Sequence, residues 1–181
     1  KEAFIPLKEI LKNQNNFKTL DNIALKYQQA HNFSFESKVQ VFEVFLWSNN
    51  EIESNKIINE TKNNPSISNK NIELILKSLL NQYKVNEVVD ILNNLRKKRS
   101  PDYFSFQLGL YYSINMKIEN AVEEYLLYLK HNPTKKILIR NRIMALPDFA
   151  NIDEKIKSIL NESNFNGAKI ILSDLEFKSQ N

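Results

Sequence analysis

The chain repeats itself about every 34 residues, and that period limits the folds open to it. Pro65 and Pro133 stand two such intervals apart. The segment Tyr83-Lys84-Val85 through Lys97 aligns with Met116-Lys117-Ile118 through Lys130 at an offset of 33. That alignment sets Val88 on Ala121, Leu92 on Tyr125 and Leu95 on Tyr128. A unit of this length holds one helix pair. A lone pair cannot bury its apolar stripe, so repeated pairs stack and share a core.

Helical periodicity runs from end to end. Ile72, Ile75, Leu76, Leu79 and Leu80 form one stripe; Val85, Val88, Val89, Leu92 and Leu95 form the next. Ala121, Val122, Tyr125, Tyr128 and Leu129 make a third, and Ile152, Ile156, Ile159 and Leu160 a fourth. Ser100-Pro101 and Asn132-Pro133 read as a capping side chain before a proline at the first helical position. Asn64-Pro65 marks another break, and Asn151 with Glu154 resembles a capping box. The spacing predicts eleven helices: 2–13, 17–31, 34–48, 51–63, 69–82, 85–98, 101–114, 118–131, 134–146, 152–163 and 167–178. The short connections predict antiparallel neighbours. Only two glycines occur, too few for the positive-φ turns of a hairpin-rich sheet.

The segment from Asp102 to about Lys135 resembles the tetratricopeptide repeat (TPR) family, which has this same period. Leu108-Gly109 followed by Tyr112 matches the family's L-G-x-x-Y. Ala121 matches the small residue opening the second helix, Tyr125 the aromatic after it, and Pro133 the closing proline. The chain departs from the pattern at Tyr128, where the family has a small residue. It departs again where Phe104 stands one residue from the tryptophan position. The other units match by period and stripe, not by motif. The resemblance implies an all-α, right-handed α-solenoid of antiparallel helix pairs, about five and a half TPR-like units in a single domain over 1–181. It implies that Gly109 permits close helix approach, that Ala121 sits at the crossing, and that Tyr112 and Tyr125 fill space between neighbouring pairs.

Most catalytic chemistry finds no residues here. There is no cysteine, so disulfides, thiolate metal sites and cysteine nucleophiles are excluded. No Gly-rich phosphate loop, G-x-S-x-G elbow or H-E-x-x-H occurs. His31 and His131, the only histidines, lie far apart in the chain near predicted helix ends, where the helix dipole suits them. Glu51 with Glu53, and Glu123 with Glu124, are near neighbours on one helix and do not face each other across a cleft. No cofactor and no metal are expected. The net charge of +4 is mild and does not by itself call for nucleic acid. No apolar run is long enough to span a membrane.

Binding is the remaining expectation: a non-enzymatic scaffold or adaptor for a protein or peptide with acidic residues. By the resemblance, the first helix of each pair lines a concave groove. Register then assigns Phe35, Lys38 and Phe42 to it in one unit, Lys70, Glu73 and Lys77 in the next, and Tyr103, Phe106 and Leu110 after that. Helix 34–48 is apolar nearly all round, which fits burial as well as a groove. The run Arg96-Lys97-Lys98-Arg99 suits a helix C-terminus. Lys130, Lys135, Lys136, Arg140 and Arg142 form a second basic stretch; Arg140 and Arg142 fall inside a helix, and Arg140 joins the partner candidates. The rival readings are a helical repeat binding single-stranded RNA and a helical domain of a larger enzyme. The chain opens at Lys1 without a methionine, and the last helix lacks a following partner. The expectation is a piece of a longer protein, either cytoplasmic or exported with its leader removed.

Overall fold

The computed structural model describes residues 4–147 and 152–179, with side chains as far as Phe177. Those residues form eleven α-helices and no strand. They are α1 (Phe4–Asn13), α2 (Phe17–Ala30), α3 (Phe35–Trp47), α4 (Glu51–Asn63), α5 (Asn69–Asn81) and α6 (Val85–Lys98). After these come α7 (Ser105–Ile114), α8 (Ile118–His131), α9 (Lys136–Met144), α10 (Ile152–Glu162) and α11 (Asn166–Ser179). Two compact units result, Lys1–Lys98 and Arg99–Asn181.

The period is written into the backbone of the turns. Asn15, Asn49, Tyr83 and Met116 all take positive φ, at 54°, 54°, 57° and 59°. Each stands one repeat beyond the last, between the two helices of a pair, and each pair closes with the same two hydrogen bonds. The N–H of Asn16, Asn50, Lys84 and Lys117 donates to the C=O of Leu11, Phe45, Leu79 and Tyr112 respectively. The N–H of the left-handed residue itself donates to the C=O of the residue three positions back, namely Lys12, Leu46, Leu80 and Ser113. This is a Schellman-type helix end, made without glycine. Asparagine tolerates the left-handed region; tyrosine and methionine are strained there.

The helix starts repeat as well. In α2 and α4 the caps are Asn16 and Asn50, one repeat apart, whose side chains accept from the N–H of Thr19 and Glu53. In α3 and α5 they are Ser34 and Ser68, at the same interval, accepting from the N–H of Ser37 and Asn71. Asn50 also holds a neighbouring helix: its Nδ2 donates to both carboxylate oxygens of Asp21, at 3.1 and 3.0 Å, tying the α3–α4 turn to α2.

Buried stripes explain why these segments are helical. Ile72, Ile75, Leu76, Leu79 and Leu80 of α5 are all buried. In α6, Val88, Ile91, Leu92 and Leu95 are buried, while Val89 is exposed, so Ile91 takes its place in the stripe. Each such side chain contributes about 1.5–3 kcal/mol. Two starts differ from expectation. Pro101 does not open a helix: Phe104, buried and at φ 63°, breaks the chain, and α7 begins at Ser105. Ser100 donates its hydroxyl to Asp102. Pro133 opens a short 3-10 turn (Pro133–Lys135), and Asn132 turns its amide to Asp102 at 2.6 Å and to the Tyr128 carbonyl at 3.0 Å, capping nothing. Asn151, the expected cap of α10, lies outside the described residues.

In the first unit, α3 packs on α2, α4 and α5, and α4 on α6. The first helix α3 thus meets the first helix α5 one repeat on, and the second helix α4 meets the second helix α6. In the second unit, α7 packs on α8, α8 on α10, and α9 on α11. Polar contacts carry the same interval. Lys8 pairs with Glu43 at 3.2 Å, Asn71 donates to Glu36 at 3.4 Å, and Ser78 donates to Glu43 at 3.5 Å, each 35 residues apart. In the second unit Arg140 pairs with Asp174, 34 residues on, and Lys155 pairs with Glu119, 36 residues away.

Candidate partner-binding faces

The open face of α3 is set by what its other faces bury. Ser37, Val41, Phe42, Val44, Phe45 and Leu46 are buried. Glu36 is exposed, and Val39, Gln40, Glu43 and Trp47 are half-buried. On a helix, 36, 40, 43 and 47 form one stripe. This corrects the expected groove residues Phe35, Lys38 and Phe42, which lie one residue off, a rotation of about 100°. Phe42 is 0% exposed and belongs to the core. Lys38 is turned toward the second helix of its own pair and ion-pairs with Glu60 at 2.6 Å. Phe35 is half-buried at the helix start. The cause is the turn spacing: Asn49 and Tyr83 are one repeat apart, so Phe42 is the equivalent of Leu76, a core residue.

On α5 the expected residues fall near the corresponding stripe. Lys70 and Lys77 are exposed with Leu74, and Glu73 is half-buried beside them. These four positions lie one repeat beyond Glu36, Glu43, Gln40 and Val39 respectively. The stripe of α3 is therefore acidic and that of α5 basic, with Leu74 between the two lysines. Trp47, at the end of the α3 stripe, lies beneath the Lys8 and Lys12 ammonium groups of α1, at 5.3 and 4.2 Å from its ring centre. Such contacts are worth about 0.5–1 kcal/mol at exposed sites.

In the second unit, Tyr103 precedes α7 instead of lying on it, with the Arg99 guanidinium 5.7 Å from its ring. Phe106 packs on the second helix of its pair, 5.4 Å from the Tyr128 ring and 6.2 Å from Tyr125. Leu110 is half-buried, and Ile114, one turn on, is exposed. Arg140 is held by Asp174 at 2.5 Å, so it ties α9 to α11.

The repeat-packing residues cluster within the α7–α8 pair. Leu108, Gly109, Tyr112, Ala121 and Tyr125 are all buried, whereas Pro133 is exposed. Tyr125 is fully buried, and its hydroxyl makes no hydrogen bond of good geometry. Burial pushes the Tyr125 phenol up, against smaller opposing effects of nearby Ser113 and the Arg142 charge. At Asp102, burial alone raises the carboxyl. Hydrogen bonds from Ser100, Asn132 and its own backbone, with the His131 charge, outweigh it and hold the group below its ordinary value.

Two open clefts of about 450 and 260 Å³ run along α8 beside α10, the first spanned by Glu119 and Lys155. Among the described residues no group of three His, Asp or Glu side chains is placed to hold a metal. His31 donates from Nδ1 to the Tyr27 carbonyl, 2.8 Å away, and packs tilted against the Tyr27 ring. Among the described residues no helix is long and apolar enough to cross a membrane.

Sequence reasoning missed Glu36, Gln40, Glu43 and Leu74 as face residues. The signal was present in the paired caps Asn16/Asn50 and Ser34/Ser68, which fix the α3 register against its neighbours. Compared with known proteins, the chain matches no family model, no curated protein and no solved structure.

Proposed function

We propose that each unit is a stretch of TPR-like α-solenoid and that the chain is a non-enzymatic scaffold, holding a segment of a partner protein against the first helices of its pairs. The observation that carries this reading is the stacking of like helices at a near-constant interval. It is 35 residues in the Asn71–Glu36 and Ser78–Glu43 contacts of the first unit. In the second it is 34 for Arg140–Asp174 and 36 for Lys155–Glu119. Stacked pairs of this kind present an extended face instead of a closed pocket. In the first unit that face offers Glu36, Glu43, Lys70, Leu74 and Lys77, a mix of both charges with an aliphatic centre. An extended or helical peptide reads such a face through charge and one or two apolar anchors.

Selection of a peptide display library against the full chain tests this. Enriched peptides are expected to lose at least about tenfold in affinity on Leu74→Ser with Lys77→Glu. They are expected to keep it on Asn93→Asp, on the second helix of the same pair. No enrichment, or equal loss on both changes, contradicts the proposal.

A further inference from the structure

We infer that the outward face of α9 is a docking strip for an acidic segment of a partner protein that also carries aliphatic side chains. This rests on the scaffold reading and adds a second contact with its own chemistry. α9 is apolar on two sides. Ile139 and Ile143 are buried, as a core helix requires. Ile137 is 70% exposed and Leu138 39%, turned away from that pair with the exposed Asn141, while Arg142 lies on the flank between the two sides. Core packing accounts for the first pair and not for the second.

Positive charge lies close to that aliphatic pair along the chain. Lys135 is exposed just before α9, and Lys136 is half-buried beside it; Lys130, exposed in the last turn of α8, lines the cleft beside α10. From Lys130 through Leu146 the sequence has no aspartate or glutamate. Asp174, the carboxylate that reaches α9 from α11, is engaged by Arg140. Lys130, Lys135, Lys136 and Arg142 make no ion pair among the described residues. The strip is therefore an unbalanced cationic surface with an aliphatic contact.

Charge complementarity selects an anionic partner, and the aliphatic pair selects its class. Single-stranded nucleic acid is held by aromatic platforms among cations, and α9 has no aromatic residue. A lipid surface is gripped by helices that sink a whole continuous apolar face. The nine residues of α9 span only about 14 Å and offer two side chains. An acidic peptide with leucine or isoleucine satisfies both halves of the strip.

Fluorescence anisotropy of the full chain provides the test, at roughly physiological salt so that diffuse charge attraction is screened. The probes are a short peptide mixing glutamate with leucine, an all-polar acidic peptide of the same length, oligouridine, and phosphatidylserine vesicles. The mixed peptide is expected to bind at least about tenfold more tightly than the all-polar one. Lys135→Glu with Arg142→Glu, and separately Ile137→Ser with Leu138→Ser, are each expected to weaken it about tenfold with unchanged helicity by circular dichroism. Leu74→Ser with Lys77→Glu is expected to leave it unaltered, which separates failure of this strip from failure of the first-unit face. Equal binding of the two peptides, preference for oligouridine or vesicles, or insensitivity to the Ile137 and Leu138 changes overturns the inference.

Discussion

The ring of Tyr125 occupies the space that a side chain on Gly109 would need. A Cβ built on Gly109 would lie 2.8 Å from both Cδ1 and Cε1 of that ring. The equivalent pair one repeat earlier is Leu76 with Leu92, both buried. Volume is therefore shared differently in the two pairs, nothing against a large ring in one and two middle-sized side chains in the other. Gly109→Ala is expected to destabilise the second unit by about 1–3 kcal/mol through overpacking, less the gain in helix propensity of about 1 kcal/mol. Adding Tyr125→Leu is expected to restore part of the loss. Denaturant titration of the single and double variants checks this, and additive losses would contradict the shared-volume account.

Tyr125 buries a hydroxyl that finds no well-formed hydrogen bond. Removing an unsatisfied buried group is cheap or favourable. Tyr125→Phe is expected to hold stability or raise it by up to about 1 kcal/mol. Because the folded phenol is raised above its unfolded value, the unfolded chain ionises first as pH climbs past 10.0. Stability should then fall with rising pH, and the phenylalanine variant should show a shallower alkaline decline in melting temperature.

On the acid side the sign reverses. The folded Asp102 carboxyl lies below its unfolded value of 3.8, so its contribution is complete above that value and is lost as pH falls through the folded one. Asp102→Asn is expected to lower the melting temperature at pH about 6, with the difference from the parent shrinking between about pH 5 and pH 3. A difference independent of pH would contradict the assignment of charge-dependent hydrogen bonds to Ser100 and Asn132.

Tyr83 is 78% exposed and held at φ 57°, where Asn15 and Asn49 stand in the equivalent turns. Tyr83→Asn relieves left-handed strain without disturbing packing. An increase of about 0.5–1 kcal/mol in first-unit stability is expected from thermal melts. A loss would show that the tyrosine ring contributes more than its exposure indicates.

The helices were legible in the sequence because each has a clear stripe, and nearly every predicted segment matches an observed one within a few positions. The starts of α7 and α9 were not. Proline permits a helix start without compelling one, and the left-handed Phe104 that delays α7 leaves no mark in composition. The exposed side of α5 is legible because Lys70 and Lys77 contrast with the buried Ile72, Ile75 and Leu76. The α3 face was misplaced by one position because its apolar residues encircle the helix, so hydrophobicity alone gave no direction. The capping residues, Asn16 against Asn50 and Ser34 against Ser68, carry that register. The pairing of Arg140 with Asp174 lies across two helices and is invisible to any local pattern.

The stacking of like helices is best tested by thiol cross-linking, since the chain has no cysteine of its own to interfere. Cysteines placed at Glu36 and Asn71, and in a second protein at Glu119 and Lys155, should be joined rapidly and nearly completely by a short bis-maleimide. A pair at Glu36 and Asn93, in the same unit but off the interval, should react no faster than two independent thiols. Equal rates for all three pairs would mean that the repeat interval in the sequence is not an interval in space, and the stacked-pair account would fall.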